Sequence, residues 1–191
     1  MNNETRPTTY RPSLRFFHAS PKGNGGALTM ELHPAHDDVD GSIMVKAANQ
    51  MTVGNPFGPN PTFPHFDWEN AICVKLGFSD LCKMLQVFRG ECESLENELG
   101  LCHRSTCGLT RIMLRHLTDT IRGYSFELYR SSPKGADIRT HILFTDWEAL
   151  GIADAISGSM SAIGFGIPMV IPHKASVGEV RREGVRNVPA A

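Results

Sequence analysis

The chain has 191 residues, 41% of them hydrophobic, which is typical of a single soluble domain with a buried core. Its net charge of −1 argues against a uniformly basic protein that binds nucleic acid, and no apolar run approaches the ~20 residues of a membrane-spanning helix. The start of the chain has no apolar secretion signal, so we expect a cytoplasmic location and reduced thiols at the five cysteines.

In the first part of the chain, strand patterns alternate with glycine- and proline-rich breaks. Residues 1–12 are polar and contain prolines, which predicts a flexible arm. Alternating or apolar runs predict strands at residues 13–20, 27–33, 42–51 and 67–77. In the last of these, Trp68 is expected on the same face as Ile72 and Val74. The four prolines and two glycines of residues 53–66 predict a long loop.

The second part of the chain begins with a predicted helix at residues 78–88, for which Ser79 is a suitable N-cap. The pattern of residues 89–107 is ambiguous. Period-two alternation predicts further strands at residues 108–117, 124–131 and 139–144. A capping box of Thr145 and Glu148 then starts a second helix, which Pro168 ends.

The order of elements is a run of strands closed by one helix, and this arrangement occurs twice. Such an order predicts an α+β fold built by internal duplication. We expect a single domain over residues 13–168, followed by a flexible C-terminal tail over residues 169–191.

The glycine-rich stretch PKGNGG, residues 21–26, raises the question of a phosphate-binding loop. Such a loop leads into a helix, whose free N–H groups bind the phosphate. Here the next residues, ALTMELHP, have the period of a strand, and no GK[ST] sequence is present. A hairpin turn is therefore favoured, with Gly and Asn supplying positive φ angles and Lys22 at its tip.

Basic residues are concentrated near the N-terminus and between residues 104 and 139, whereas many of the acidic residues lie in the stretch between them. Segregation of this kind builds a positive face on a neutral protein, although chance clustering on the surface is an equal alternative. A sheet that alternates cations with exposed rings suits single-stranded nucleic acid, because bases stack on rings and cations contact phosphates. The candidate binding residues are Arg15, Phe17, Lys22, Asn24, Lys46, Phe66, Trp68, Arg111, Arg115 and Tyr124.

Several stretches of the sequence resemble the Whirly family of single-stranded DNA-binding proteins. PKGNGGALTMELHP resembles the family's lysine–glycine hairpin, and DWENAICVKLGFSDLCKMLQVFRGECESL resembles its Asp-Trp, strand, helix and Glu-Ser-Cys segment. YSFELYRSS and THILFTDWEALGIADAISG resemble its last two strands and C-terminal helix. The resemblance runs in the same order over residues 14–168. The kinetoplastid mitochondrial RNA-binding proteins share this fold.

The resemblance implies two antiparallel four-stranded sheets packed crosswise, with helices at one end that assemble a tetramer. It also implies that a single strand binds along the sheet edges and between subunits. The sequence departs from the family at Asn24, which with an extra glycine replaces a second lysine of the hairpin. Its ending is the basic VRREGVR in place of an acidic or aromatic one.

The predicted second helix carries a row of small residues: Gly151, Ala155, Gly158 and Ala162. Their spacing places them on one face, where small side chains let two helix backbones approach closely. We interpret this row as an oligomer interface. Packing of the same row on the chain's own sheet is the alternative.

The sequence as a whole predicts a non-catalytic protein, without a cofactor, that binds single-stranded DNA and is cytoplasmic or nucleoid-associated, or in an organelle matrix if the chain is a processed form. An RNA-binding or RNA-annealing protein of the same fold is the first alternative. A scaffold protein that only assembles is another. A metal-dependent phosphoesterase, or a zinc site, is the least favoured; the possible ligands are His36, Asp37, Asp38 and Asp40, His65 with Asp67, or Cys102, His103, Cys107 and His116.

Overall fold

The computed structural model describes residues 12–35, 38–57, 59–106, 108–119, 122–132 and 135–167. The predicted tail, and the predicted arm apart from residue 12, lie outside these residues. The strands of the described residues are β1 Ser13–His18, β2 Gly26–His33, β3 Ser42–Thr52, β4 His65–Phe66, β5 Ile72–Leu76, β6 Leu101–Ser105, β7 Gly108–Leu117, β8 Gly123–Ser131 and β9 Ile138–Phe144. The helices are α1 Phe78–Phe88 and α2 Asp146–Gly164, and a 3₁₀ turn spans Leu95–Glu98.

The described strands form two antiparallel sheets, which confirms the predicted α+β class. In sheet 1, β1 pairs with β2 and β2 with β3, while β3 pairs on its other side with both β4 and β5. Sheet 2 has the order β6-β7-β8-β9. Sheet 1 therefore has five strands instead of the predicted four, because the end of the proline-rich loop pairs with β3. The amide of His65 donates to the Thr52 hydroxyl at 3.1 Å where this pairing begins.

One hydrophobic core joins the inner faces of both sheets to the helices. Alternate residues of β2, β3 and β5 supply it from sheet 1, and alternate residues of β7, β8 and β9 supply it from sheet 2. Among the largest fully buried side chains are Leu28, Val45, Ile72, Ile112, Leu114, Leu128, Ile152 and Ile156. The outer faces of the two sheets are consequently free to carry polar and aromatic side chains.

The two helices follow the predicted patterns with one correction. Helix α1 begins one residue before the predicted Ser79 cap, with Gly77 as its N-cap, and the Asp80 carboxylate accepts from the Gly77 amide at 3.0 Å. The capping box of Thr145 and Glu148 at the start of α2 is confirmed. No helix in the described part of the chain is long and apolar enough to cross a membrane.

Candidate nucleic-acid interface

The outer face of sheet 1 carries the largest group of predicted binding residues. The pairing of β1, β2, β3 and β5 places one row of side chains across this face: Arg15, Thr29, Lys46 and Cys73. Among the described residues, neither Arg15 nor Lys46 forms an ion pair with a carboxylate. These two cations are therefore available to a phosphate.

Three aromatic rings lie beside this row. The centroid of the Phe17 ring is 5.8 Å from that of Phe66 and 6.3 Å from that of Trp68. The Lys46 ammonium lies 5.7 Å from the centroid of the Trp68 ring, which is within the range of a cation–π contact. Phe17 lies on edge strand β1 and is 56% exposed, so its ring is accessible for stacking. We call Phe17, Phe66 and Trp68 the aromatic cluster.

Two shallow cavities meet at the aromatic cluster. One, of about 330 Å³, is bounded by Arg15 and Lys46, and the other, of about 340 Å³, by Pro64 and His65. Phe17 and Trp68 line both. The surface therefore presents rings at its centre, the two cations together with Glu31 on one side, and the end of the proline-rich loop on the other.

Trp68 reaches this surface by a route that the sequence pattern did not predict. The alternation predicts Trp68 on the same face as Ile72 in one continuous strand, but β5 begins only at Ile72. Before it, the Asp67 carboxylate accepts from the Asn70 amide at 3.2 Å and closes a turn. This turn breaks the strand alternation, so the Trp68 ring lies with Phe17 and not in the core.

The loop between β1 and β2, residues 19–25, confirms the predicted hairpin, and we call it the Lys22 hairpin. The Gly23 amide donates to the Ser20 carbonyl at 3.0 Å, and Gly23 has a φ of +75°. Lys22 and Asn24 are both exposed at this tip. The expectation that Asn24 also has a positive φ is wrong, because glycine alone takes that conformation in this loop.

Sequence reasoning missed Gln50, whose buried amide lies beneath the Lys22 hairpin. The only signal for it was a polar residue near the end of a predicted strand that is otherwise largely apolar. Such a residue is equally common on a solvent-exposed face, so the pattern alone does not single it out.

Arg111 and Arg115 lie on a different surface, the outer face of sheet 2, and are exposed there as the alternation of β7 predicts. Arg115 is already paired, since its Nη2 lies 2.8 Å from Oε1 of Glu98. Arg111 is flanked in the sheet by Cys102 and Tyr129. The predicted residues thus form two surfaces and not one.

Tyr124 does not belong to either outer face, which corrects its prediction as a stacking residue. It is 7% exposed, because the alternation of β8 directs it inward with Phe126. Its hydroxyl donates to the Phe88 carbonyl at 3.2 Å. Its ring stacks on that of His116, with 4.5 Å between the ring centroids. Burial, followed by the nearby Asp146 carboxylate, raises the pKa of Tyr124 above its ordinary value. The residue therefore has a structural role.

The small-residue row of α2 lies toward solvent. Gly151 and Gly158 are exposed, and, apart from the chain neighbours and the nearby backbone of α2 itself, no atom of the described residues lies within 4 Å of the position that a Cβ would take at either glycine. The buried face of the helix is formed by other residues: Ala149, Ile152, Ala153, Ile156 and Ile163. Neither glycine is used against the chain's own sheets, contrary to the alternative interpretation. Trp147 and Leu150 add apolar surface to the same end of the helix, at 72% and 62% exposure.

The described part of the chain contains no group of three or more His, Cys, Asp or Glu residues placed to hold a metal ion. Three members of the ligand sets considered from the sequence, namely His36, Asp37 and Cys107, lie outside the described residues.

No protein-family model and no curated protein sequence matches the chain. Solved structures do match it. The crystal structure of WHY1 from Arabidopsis thaliana superposes with a TM-score of 0.64 at 16% identity, covering 83% of this chain and 88% of WHY1. The chain has a Whirly-like fold. The structure of WHY3 from Arabidopsis thaliana gives a TM-score of 0.63 at 16% identity, over 83% of this chain and 90% of WHY3.

A third Whirly-like match is the structure of the plant transcriptional regulator PBF-2, with a TM-score of 0.58 at 16% identity over 84% of this chain and 85% of PBF-2. These matches confirm the fold that the motif resemblance implied. Sheet 1 differs from the implied four-stranded sheet by its short additional strand β4.

Proposed function

We propose that this protein binds single-stranded nucleic acid, with DNA as the first candidate, on the outer face of sheet 1. The observation that carries the proposal is the aromatic cluster beside two cations, Arg15 and Lys46, that form no ion pair with any carboxylate in the described part of the chain. Stacking on rings accepts any base, and cations follow the phosphates. The Whirly-like fold supports the same class of ligand.

In this account, the exposed ring of Phe17 takes a base in stacking contact, with Phe66 and Trp68 extending the platform. Arg15 on edge strand β1 and Lys46 beside Trp68 contact the phosphates on one side. Lys22 extends the positive surface at the end of the same strand pair. Because each contact uses a base face or a phosphate, binding is expected to tolerate many sequences.

Assembly into an oligomer, with a tetramer as the proposed state, is the second part of the proposal. It is supported by the outward face of α2, where two glycines and two large apolar side chains are exposed. A glycine in a helix interior costs about 1 kcal/mol relative to alanine, and a closely packed partner helix offsets such a cost. Several copies of the binding surface would then strengthen binding to one long strand.

We propose a binding role without a catalytic step or a cofactor. PBF-2 is described as a transcriptional regulator, and this favours transcription regulation as the first process to test for the present protein. Binding to RNA uses the same stacking and phosphate contacts, so it is an outcome of the test below and not a separate mechanism.

The test is a titration of the whole chain with labelled oligo(dT), oligo(rU) and a duplex of mixed sequence at two salt concentrations. We expect a single strand to bind more tightly than the duplex, because duplex bases cannot reach the rings. We also expect affinity to fall with salt, as phosphate contacts release counterions. Equal affinity for the duplex, or no binding of either single strand, contradicts the proposal, and a preference for oligo(rU) assigns RNA as the ligand.

A further inference from the structure

Gln50, near the end of β3, ties together both ends of the Lys22 hairpin. Its side chain is 8% exposed. Its Oε1 accepts from the amides of Ser20 at 2.7 Å and Gly25 at 3.1 Å. Its Nε2 donates to the carbonyls of Ser20 at 3.1 Å and Thr52 at 3.0 Å. A glutamine amide has two donor hydrogens and two acceptor positions, so this arrangement uses its full capacity.

The packing around these bonds leaves little freedom. A Cβ on Gly25 would overlap both the His18 carbonyl and Oε1 of Gln50, so this limb of the hairpin lies directly on the amide. The backbone amide of Gln50 also donates to the Gly25 carbonyl at 2.9 Å. These contacts therefore fix the backbone at both ends of the hairpin that carries Lys22, although the Lys22 side chain is exposed.

The backbone of the same residue supports the aromatic cluster. Gln50 is the register partner of Phe66 in the pairing of β3 with β4. One residue on, the Asp67 amide donates to the Asn49 carbonyl at 2.8 Å. Gln50 thus lies between the hairpin that carries a cation and the short strand that carries a ring.

We propose that Gln50 is a positioning residue for nucleic-acid binding: it sets the spacing between the Lys22 cation and the Phe66 ring. That spacing decides which phosphate and which base of one strand can be contacted together. This role rests on the proposed function. It needs no contact between Gln50 and the ligand, because its amide is fully engaged within the protein.

The test uses Gln50→Met, which keeps an unbranched side chain of similar length and removes the amide. In the free protein, hydrogen exchange at the Ser20 and Gly25 amides should become faster. Affinity for oligo(dT) should fall about fivefold, matching Lys22→Ala, since each variant loses one charge-assisted phosphate contact. The slope of log affinity against log salt should shrink by about 0.7 in both variants.

A double-mutant cycle separates positioning from general destabilisation. If Gln50 acts through Lys22, Gln50→Met should cause no further loss of affinity in the Lys22→Ala background. Asn49→Ala is the matched control, because the side-chain amide of Asn49 does not bond to the hairpin and instead donates to the Arg139 carbonyl at 2.9 Å. This control should change neither the exchange of the hairpin amides nor the salt slope.

Additive losses in the cycle, or unchanged affinity of Gln50→Met while Lys22→Ala binds more weakly, would overturn the inference. If Gln50→Met does not fold, Gln50→Glu keeps the side-chain length and the acceptor oxygen but removes the donor to the Ser20 carbonyl, and it is read by the same measurements. A wild-type protein that binds no oligonucleotide refutes the proposed function itself, whereas a binding wild type with a normal Gln50→Met refutes only the positioning role.

Discussion

Arg115 and Glu98 form an ion pair on the outer face of sheet 2, with 2.8 Å between Nη2 and Oε1. Glu98 belongs to a turn in which Glu96, Asn97 and Glu98 all have positive φ values, of 48°, 50° and 73°. A left-handed backbone is costly for residues other than glycine, so this turn is held by its surroundings. A phosphate that approaches Arg115 must first displace a carboxylate, which it need not do at Arg15.

The first prediction compares these two arginines. Arg15→Ala should weaken binding to oligo(dT) by about 1 kcal/mol, roughly fivefold, because the contact between this arginine and a phosphate is lost. Arg115→Ala should change the affinity less than about twofold, since an exposed ion pair already engages its charge. Isothermal titration of both variants under one buffer condition provides the comparison. A larger loss for Arg115→Ala would move the binding surface to sheet 2.

The second prediction concerns the aromatic cluster. Phe17→Leu keeps an apolar side chain and removes the ring, so affinity for oligo(dT) should fall by about 1–3 kcal/mol. Tyr124→Phe is the matched aromatic control. It should leave affinity unchanged and lower the free energy of unfolding by about 0.5–1.5 kcal/mol, because the hydrogen bond to Phe88 is lost. Weaker binding by Tyr124→Phe, with full binding by Phe17→Leu, would reverse the assignment of these two residues.

Gly158 provides the test of assembly. Since no described residue outside the adjoining backbone of α2 comes within 4 Å of a Cβ at this position, Gly158→Ala in a monomer should raise the free energy of unfolding by about 1 kcal/mol. In a closely packed oligomer, Gly158→Leu should instead separate the helices at a cost of about 1–3 kcal/mol per contact. Light scattering and thermal unfolding of both variants distinguish the cases. A native mass for Gly158→Leu with raised stability would remove α2 as the interface.

The fourth prediction is a pH dependence of stability that comes from Glu148. Burial raises the pKa of this carboxyl, but hydrogen bonds from the Thr145 amide and hydroxyl, together with nearby His18, lower it by more, so the pKa lies below its ordinary value. Because the pKa is depressed in the folded state, the ionised carboxylate stabilises the fold at pH values above its unfolded-state pKa. This stabilisation is lost as the pH falls through the folded-state pKa.

Thermal unfolding from neutral pH down to pH of about 3 measures this contribution. The midpoint of the wild type should fall more steeply than that of Glu148→Gln, which has no charge to lose at that site. Identical pH profiles would mean that the carboxylate contributes nothing to the acid dependence of stability.

The strand alternation and the α+β order of elements were predictable from the sequence because they depend on local periodicity, whereas the arrangement in two sheets was implied by the motif resemblance. The side chains of Arg15, Lys46 and Arg111 lie on the outer faces because of the alternation. The same rule places Tyr124 inward with Phe126 and Leu128, so its prediction as a binding residue did not follow the pattern of its own strand.

Other features depend on contacts that are distant in the sequence. The Asp67 turn changes the face on which Trp68 lies and brings its ring to Phe17, which is distant in the sequence on β1. The pairing of Arg115 with Glu98 depends on a left-handed turn without glycine at its centre, which has no propensity signal. Tertiary structure decided these positions, and periodicity carried no information on them.

The most direct test of the account is the fluorescence of Trp68 during binding. The chain has two tryptophans, so Trp147→Phe leaves Trp68 as the only one. If bases stack at the aromatic cluster, titration with oligo(dT) should quench this emission along the same curve as the anisotropy of the labelled strand, and duplex should not do so. Saturation of the anisotropy without any change in the Trp68 emission would contradict binding at this surface.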